Sequence, residues 1–321
     1  MASGIPLMPR TVAANGDLLL EVGTSPKIKL LVSSQVLTAA SKVFGALLGP
    51  KFLEGQSTRS PQSPQTISLP DDDPEDMHMV CRLLHGAVSP DELSHITDLE
   101  ILHLAIPIDK YGLSKSLQFH NQALLLTALR SWDRNTTLSG DEMTCLATAA
   151  YLMERPDYFT NATRRLIGET VRTADASILV SQRIYDFLPG PVLDIIESKR
   201  IVAREKIVHD VPQLLAPRCQ IGCTLSCAAD LTPVLKAFGV KFWPAKRLTI
   251  QEAIEGIRKL IGVDKGRCES LPRTFRSNLI SPGDVKGLID QLMGMCEGLC
   301  LHCVREGKDL QKKCEDKEHA A

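Results

Sequence analysis

Cysteine is the residue type in this chain most able to do chemistry, with ten among 321 residues. Cys219, Cys223 and Cys227 are evenly spaced by four, and Cys268, Cys296, Cys300 and Cys303 follow. Zinc takes four soft donors at tetrahedral geometry, and two cysteine pairs brought from separate segments supply them. Cys300-Leu301-His302-Cys303 has the two-residue gap of such a pair, and Cys223-Thr224-Leu225-Ser226-Cys227 is a looser second one. The expected ligands of a structural zinc are therefore Cys223, Cys227, Cys300 and Cys303, with burial of the thiols in a core as the alternative. A zinc of that kind contributes roughly 10 to 16 kcal/mol to the folding of a small module. Residues 218–305 are expected to be such a module.

Other constellations read as structure. Cys81 and His85 stand four apart on one helical face, but no second pair lies nearby, so they are expected in a core. Consecutive Asp71, Asp72 and Asp73 cannot converge on one ion and begin a helix instead. Arg164-Arg165 and Lys199-Arg200 read as solvated helix faces or, less simply, as surfaces for an acidic partner. No Gly-rich phosphate loop, Gly-x-Ser-x-Gly elbow, His-Glu-x-x-His or dinucleotide fingerprint occurs. The chain is therefore not expected to be an enzyme. Phe52-Leu53-Glu54, in a polar connection over residues 49–65, reads either as a loop aromatic folded back on its own domain or as one apolar anchor and one orienting charge for a protein partner.

The elements that must position these groups begin at residue 17. Leu18, Leu20 and Val22 alternate with Leu19 and Glu21, Gly23-Thr24-Ser25-Pro26 is turn chemistry, and Ile28, Leu30 and Val32 alternate again. This is a hairpin. From Ser33 the period changes, and Val36, Leu37, Ala40, Val43, Phe44, Leu47 and Leu48 predict one helix capped by Ser33 or Ser34. Thr66-Ile67-Ser68-Leu69 is a third strand. Asp73 caps a helix with Pro74 at its first position that buries Met77, Val80, Cys81 and Leu84 and stops near Gly86. Thr97 and Glu100 form a capping box opening a helix with Leu99, Leu102 and Ile106 on one face, kinked or broken at Pro107. Helices continue to about residue 210 with breaks at 133–141, 155–156 and 188–191, and residues 212–217 read as a linker.

Several of these stretches, in order, resemble a BTB/POZ domain of the filamentous-fungal type. They are Asp17 to Val22, Leu30 to Phe44, Ile67 to Pro74 and Leu104 to Tyr111, although the family often places His-Lys where this chain has Ser33-Ser34. Ala149 to Pro156 with Thr163 to Ile167 resembles the helical, BACK-like region that follows many such domains. Trp243-Pro244 and the final Gly298 to Cys303 are similar to the cysteine-bearing tail of the fungal proteins. The resemblance implies an α+β domain over residues 16–120, an all-α array over 121–211 and a small α-helical Cys-rich module over 218–305. Residues 1–15 are expected to be flexible and 306–321 a charged, frayed tail. It also implies docking with itself or with a cullin of a ubiquitin ligase, through Phe52 and Glu54, with the remaining chain presenting a client. The rival is a transcription or chromatin factor with a zinc-stabilised C-terminal module, but Cys219 to Cys227 has only Arg218 beside it.

Composition agrees with a folded interaction protein. Hydrophobic residues make up 44%, enough for sizeable cores, and 37 basic side chains balance 38 acidic ones. That balance gives no general attraction to nucleic acid or anionic lipid, and nothing in the residues implies a small-molecule substrate. No apolar run has signal-peptide or membrane-spanning length, so the expected location is intracellular, in the cytoplasm, the nucleus or both. In a reducing compartment cysteines are thiols or metal ligands rather than disulfides.

Overall fold

A computed structural model describes residues 8–134, 139–171, 182–215, 248–262, 279–312 and 314. The chain divides into two compact units, one of Met1–Thr136 with Cys145–Tyr158 and the other of Thr137–Thr144 with Phe159–Ala321. The architecture is α+β, with a small sheet at the N-terminal end followed by helices.

The first unit is built on a four-stranded sheet of β1 (Arg10–Thr11), β2 (Leu18–Val22), β3 (Ile28–Val32) and β4 (Gln65–Leu69), in the order β1-β3-β2-β4. β2 and β3 are the expected hairpin, antiparallel with Leu20 opposite Leu30, and β4 lies parallel to β2 with Ile67 opposite Leu20. Period-two spacing buries Leu18, Leu20, Val22, Ile28, Leu30 and Val32 completely or nearly so. Glu21 is on the other face and meets Lys27 and Lys29 at 3.4 and 3.0 Å. β1 corrects the expectation of a flexible start. Arg10–Thr11 pairs parallel with β3, Val12 and Ala13 both donate to the Leu31 carbonyl, and Arg10 forms a bidentate pair with Glu75. Backbone pairing decides this, because an exposed ion pair contributes at most about 1 kcal/mol.

The single helix expected after Ser33 is two helices. Ser33 caps α1 (Ser34–Ala40), and Ser41 then leaves helical geometry and caps α2 (Lys42–Leu47). The interruption is held from outside. Buried Ser41 donates its hydroxyl to the Tyr111 carbonyl at 2.5 Å and accepts from the Phe44 amide, a tertiary bond invisible to local periodicity. Phe44 stacks on the Tyr111 ring at 4.5 Å, and the Tyr111 hydroxyl donates to Asp72 at 2.6 Å. Lys110 reaches the other Asp72 oxygen at 2.7 Å, so the middle aspartate of the triplet ties two helices together. Burial and Asp72 both push the Tyr111 hydroxyl's pKa above its ordinary value.

After α3 (Leu53–Gln56), α4 (Pro74–Leu84) starts as expected, with Asp73 accepting from the Glu75 and Asp76 amides. It buries Leu83 fully rather than Leu84. His85 Nδ1 donates to the Cys81 carbonyl at 2.7 Å and Nε2 accepts from the Ser33 amide at 3.1 Å, which joins helix end to helix start and leaves no ring nitrogen for a metal. α5 (Pro90–Ser94) and α6 (Asp98–Lys110) both begin with capping boxes. α6 runs through Pro107 without the expected break. Its buried face is Ile101, Leu102, Leu104, Ala105 and Ile108, while Leu99 is exposed, so packing outweighs the one backbone bond that proline removes.

Asp76 supplies a test of the balance at the start of α4. The helix dipole favours its charge, yet burial first, then Asp73, Glu75 and Glu100, raise its pKa to about 6. A carboxyl whose pKa is raised by folding stabilises the fold while protonated, and that contribution is lost as pH climbs from about 4 through 6. Asp76→Asn is therefore expected to stabilise the protein at pH 7 by about 1 kcal/mol, after discounting a half-buried site for solvent. Urea midpoints of the two proteins should converge at pH 4, and a gap equal at both pH values would refute the argument.

Helices α7 (Gln118–Arg134), α8 (Gly140–Leu152) and α9 (Pro156–Gly168) follow, with the expected break found between α8 and α9, while residues 135–138 of the 133–141 break lie outside the described residues. Leu117, Leu124, Met143, Leu146, Phe159 and Leu166 are all buried, as their spacing predicts. In the second unit follow α10 (Ile184–Phe187), α11 (Pro191–Leu215), α12 (Ile250–Arg258), α13 (Pro282–Met295) and α14 (Leu301–Arg305). α11 passes through Pro212, so helix replaces the start of the expected linker; buried Ile207 and Val211 hold the turn around the proline. Arg200 on α11 is wholly buried and not on a solvated face. Its guanidinium donates to Glu197, to the Leu166 carbonyl and to Thr170 Oγ1.

Candidate functional site

The described residues bring three cysteines together at the C-terminal end. The sulfurs of Cys300, Cys303 and Cys314 all lie within 4.8 Å of one another, an arrangement that could hold a metal ion. A tetrahedral zinc with Zn–S near 2.3 Å sets its sulfurs about 3.8 Å apart, so the trio fits with small adjustment.

Each step of the chain toward this cluster has a local cause. Before Cys300, Leu299 is clamped against α9: its amide donates to Thr163 Oγ1 at 2.8 Å and its carbonyl accepts from Thr160 Oγ1 at 2.9 Å. Gly298 permits that approach, since a Cβ there would stand 1.9 Å from the Thr160 carbonyl oxygen. Lys199 adds a 3.4 Å bond to the Glu297 carbonyl, which accounts for a second residue read as a solvated face. Cys300 is the N-cap of α14 and makes no side-chain bond to its amides, so its sulfur is not used up in capping. Cys303 is the third helical residue after it. N-cap and third position face one another in a capping box, and the same geometry lets Cys-x-x-C present two sulfurs together.

Beyond α14 the chain turns back. The Gly307 amide donates to Val304 and the Lys308 amide to Cys303, with Gly307 at φ 65°, the double bond pattern of a Schellman ending. Asp309 then accepts from the Gln311 amide through its side chain at 3.1 Å and from Lys312 through its carbonyl at 3.3 Å. These two turns bring Cys314 to the pair. The expectation of a frayed tail from residue 306 is thus corrected for residues 306–312 and for Cys314. The segment lacks apolar periodicity, but turns need only local backbone bonds, and Gly307 and Asp309 were the available signals.

Cys303 is buried while Cys300 and Cys314 are partly exposed. Burial, reinforced by the neighbouring Cys314 and Cys300 thiols, pushes the Cys303 thiol up to about 12. A divalent cation bound at the sulfurs is the group that would reverse this at Cys303. Of the four ligands expected from sequence, Cys300 and Cys303 are brought together, and Cys223 and Cys227 lie outside the described residues. Cys219, Cys268 and Trp243-Pro244 also lie outside them. Cys296 is not in the cluster. It is buried at the end of α13, and burial raises its thiol to about 11 against the pull of Lys199, Arg164 and Arg200.

In the first unit, Phe52 is 48% exposed within the loop between α2 and β4. The loop around it is tight: the Phe52 amide donates to Gly49, the Gly55 amide donates to Phe52, and a Cβ on Gly55 would lie 1.7 Å from the Gly49 oxygen. Phe52 is therefore about half exposed on a loop pinned by backbone contacts. Glu54 belongs to α3 by its backbone, and its side chain is outside the described set. Among the described residues no helix is long and apolar enough to cross a membrane. No protein-family model matches the chain, and no curated protein matches it.

Proposed function

We propose that this chain is a non-catalytic protein-docking module of the BTB/POZ type that works as a substrate adaptor for a cullin-based ubiquitin ligase inside the cell. The observation that carries the reading is the half-exposed Phe52, on a loop pinned by backbone contacts. An aromatic anchor of this kind loses little conformational freedom on binding, so its contact surface converts efficiently into affinity. The order of hairpin, paired short helices, parallel third strand and capped helix also supports a BTB-type domain. The C-terminal unit presents the client, and a structural zinc on its cysteines stiffens that unit.

The test is capture of a cullin by the full-length chain from a reducing extract, compared with Phe52→Ala combined with Glu54→Ala. Truncation of one aromatic anchor at an interface costs about 2 kcal/mol, so capture should weaken more than tenfold. A double variant that captures cullin as well as the parent removes the assigned surface. A parent chain that captures none removes the adaptor reading.

A further inference from the structure

We propose that Cys314 is a direct metal ligand, and that Cys300, Cys303 and Cys314 form a three-thiolate site for a thiophilic divalent cation that fastens the C-terminal tail to α14. The inference rests on the zinc reading above and adds to it a ligand and a mechanical role.

The argument starts from donor chemistry. Three sulfurs within 4.8 Å, with no carboxylate among the clustered donors, suit zinc and other soft cations and repel none of the steric requirements of a tetrahedron. Magnesium and calcium require oxygen donors and are poorly served here. The geometry is also built rather than accidental. Gly298 and the Thr160 and Thr163 bonds fix the entry to Cys300, the N-cap relation pairs Cys300 with Cys303, and the Gly307 and Asp309 turns return Cys314. Residues 306–312 turn back through local bonds of Gly307, Lys308 and Asp309. Only Leu310 in that stretch is a large apolar residue, and ion pairs such as Lys308 with Glu306 are half exposed and contribute little. The trio provides three of the four tetrahedral positions.

The experiment uses the full-length chain, stripped with a chelator under reducing conditions and reloaded with Zn2+ or Co2+. The parent should bind one zinc per chain, and the cobalt form should show thiolate charge-transfer absorption whose intensity falls by about one third in Cys314→Ser. Loss of an outer-shell partner already weakens metal binding 10- to 100-fold, so Cys314→Ser should weaken zinc by about a hundredfold or more against a competing chelator. Cys314→His, which keeps a zinc donor, should recover most of that affinity. Zinc should also protect Lys308 and Lys312 from trypsin in the parent but not in Cys314→Ser. Unchanged affinity, absorption and protection in Cys314→Ser would overturn the assignment of Cys314 while leaving zinc in place. A parent that binds no zinc would overturn the zinc reading and this inference with it.

Discussion

Gly298→Ala should destabilise the second unit by about 3 kcal/mol or more, among the largest effects of any single methyl group added to this chain. The added Cβ would stand 1.9 Å from the Thr160 carbonyl oxygen and 3.0 Å from the Thr160 side chain. Backbone on one side and helix on the other cannot both yield. Either α9 shifts or the Glu297 to Leu299 strap lifts, and lifting it breaks the bonds from Thr160 and to Thr163. Each of those bonds contributes about 1 kcal/mol, and buried groups left unpaired cost more. The strap leads directly into Cys300, so the variant should also lose metal affinity although it touches no ligand. A thermal melt is expected to fall by roughly 6 °C or more for a unit of this size. A shift within one degree would show that the close approach is not needed.

Arg200 should be the most expensive long side chain to truncate and a tolerable one to replace. It is fully buried, its counter-charge Glu197 remains 40% exposed, and its Nε has no hydrogen-bond partner. Burial pulls the guanidinium pKa down to about 10 while Glu197 holds it up, so it remains charged at neutral pH. Arg200→Ala leaves a cavity and strips the Leu166 carbonyl and Thr170 of a donor, at about 3 to 5 kcal/mol. Arg200→Met fills the volume without a buried charge, and Glu197 can turn to water. Its cost should be under about 2 kcal/mol, because a desolvated ion with one unsatisfied nitrogen gives little net stability. Denaturant titrations of the two variants decide the matter. Equal losses would mean that the charge itself, rather than the packed volume, holds α9 to α11.

Local pattern carried the sheet unit far. Alternation placed the hairpin and its buried face, Asp73 with Pro74 placed the start of α4, and Thr97 with Glu100 placed that of α6. Each is a signal confined to a few neighbouring residues, where backbone preference and burial agree. The misjudged points share an opposite property. Ser41 splits a helix because it bonds Tyr111 across the fold, Pro107 and Pro212 stay inside helices because their surroundings are packed, and Arg200 is buried because α9 covers it.

The candidate metal centre divides in the same way. Cys300 and Cys303 were legible because a two-residue gap at a helix start is a local relation. Cys314 was not, since its approach depends on a left-handed glycine, an aspartate turn and a strap docked on another helix. The sequence alone determined the β2–β3 hairpin, β4, the starts of α4 and α6, and which pair of thiols stands together. Only tertiary structure decided which charged side chains are buried, which prolines are tolerated and which third thiol joins the pair. The reason is that periodicity and caps are set by interactions within about one turn, whereas burial and ligand sets are set by which distant surfaces meet.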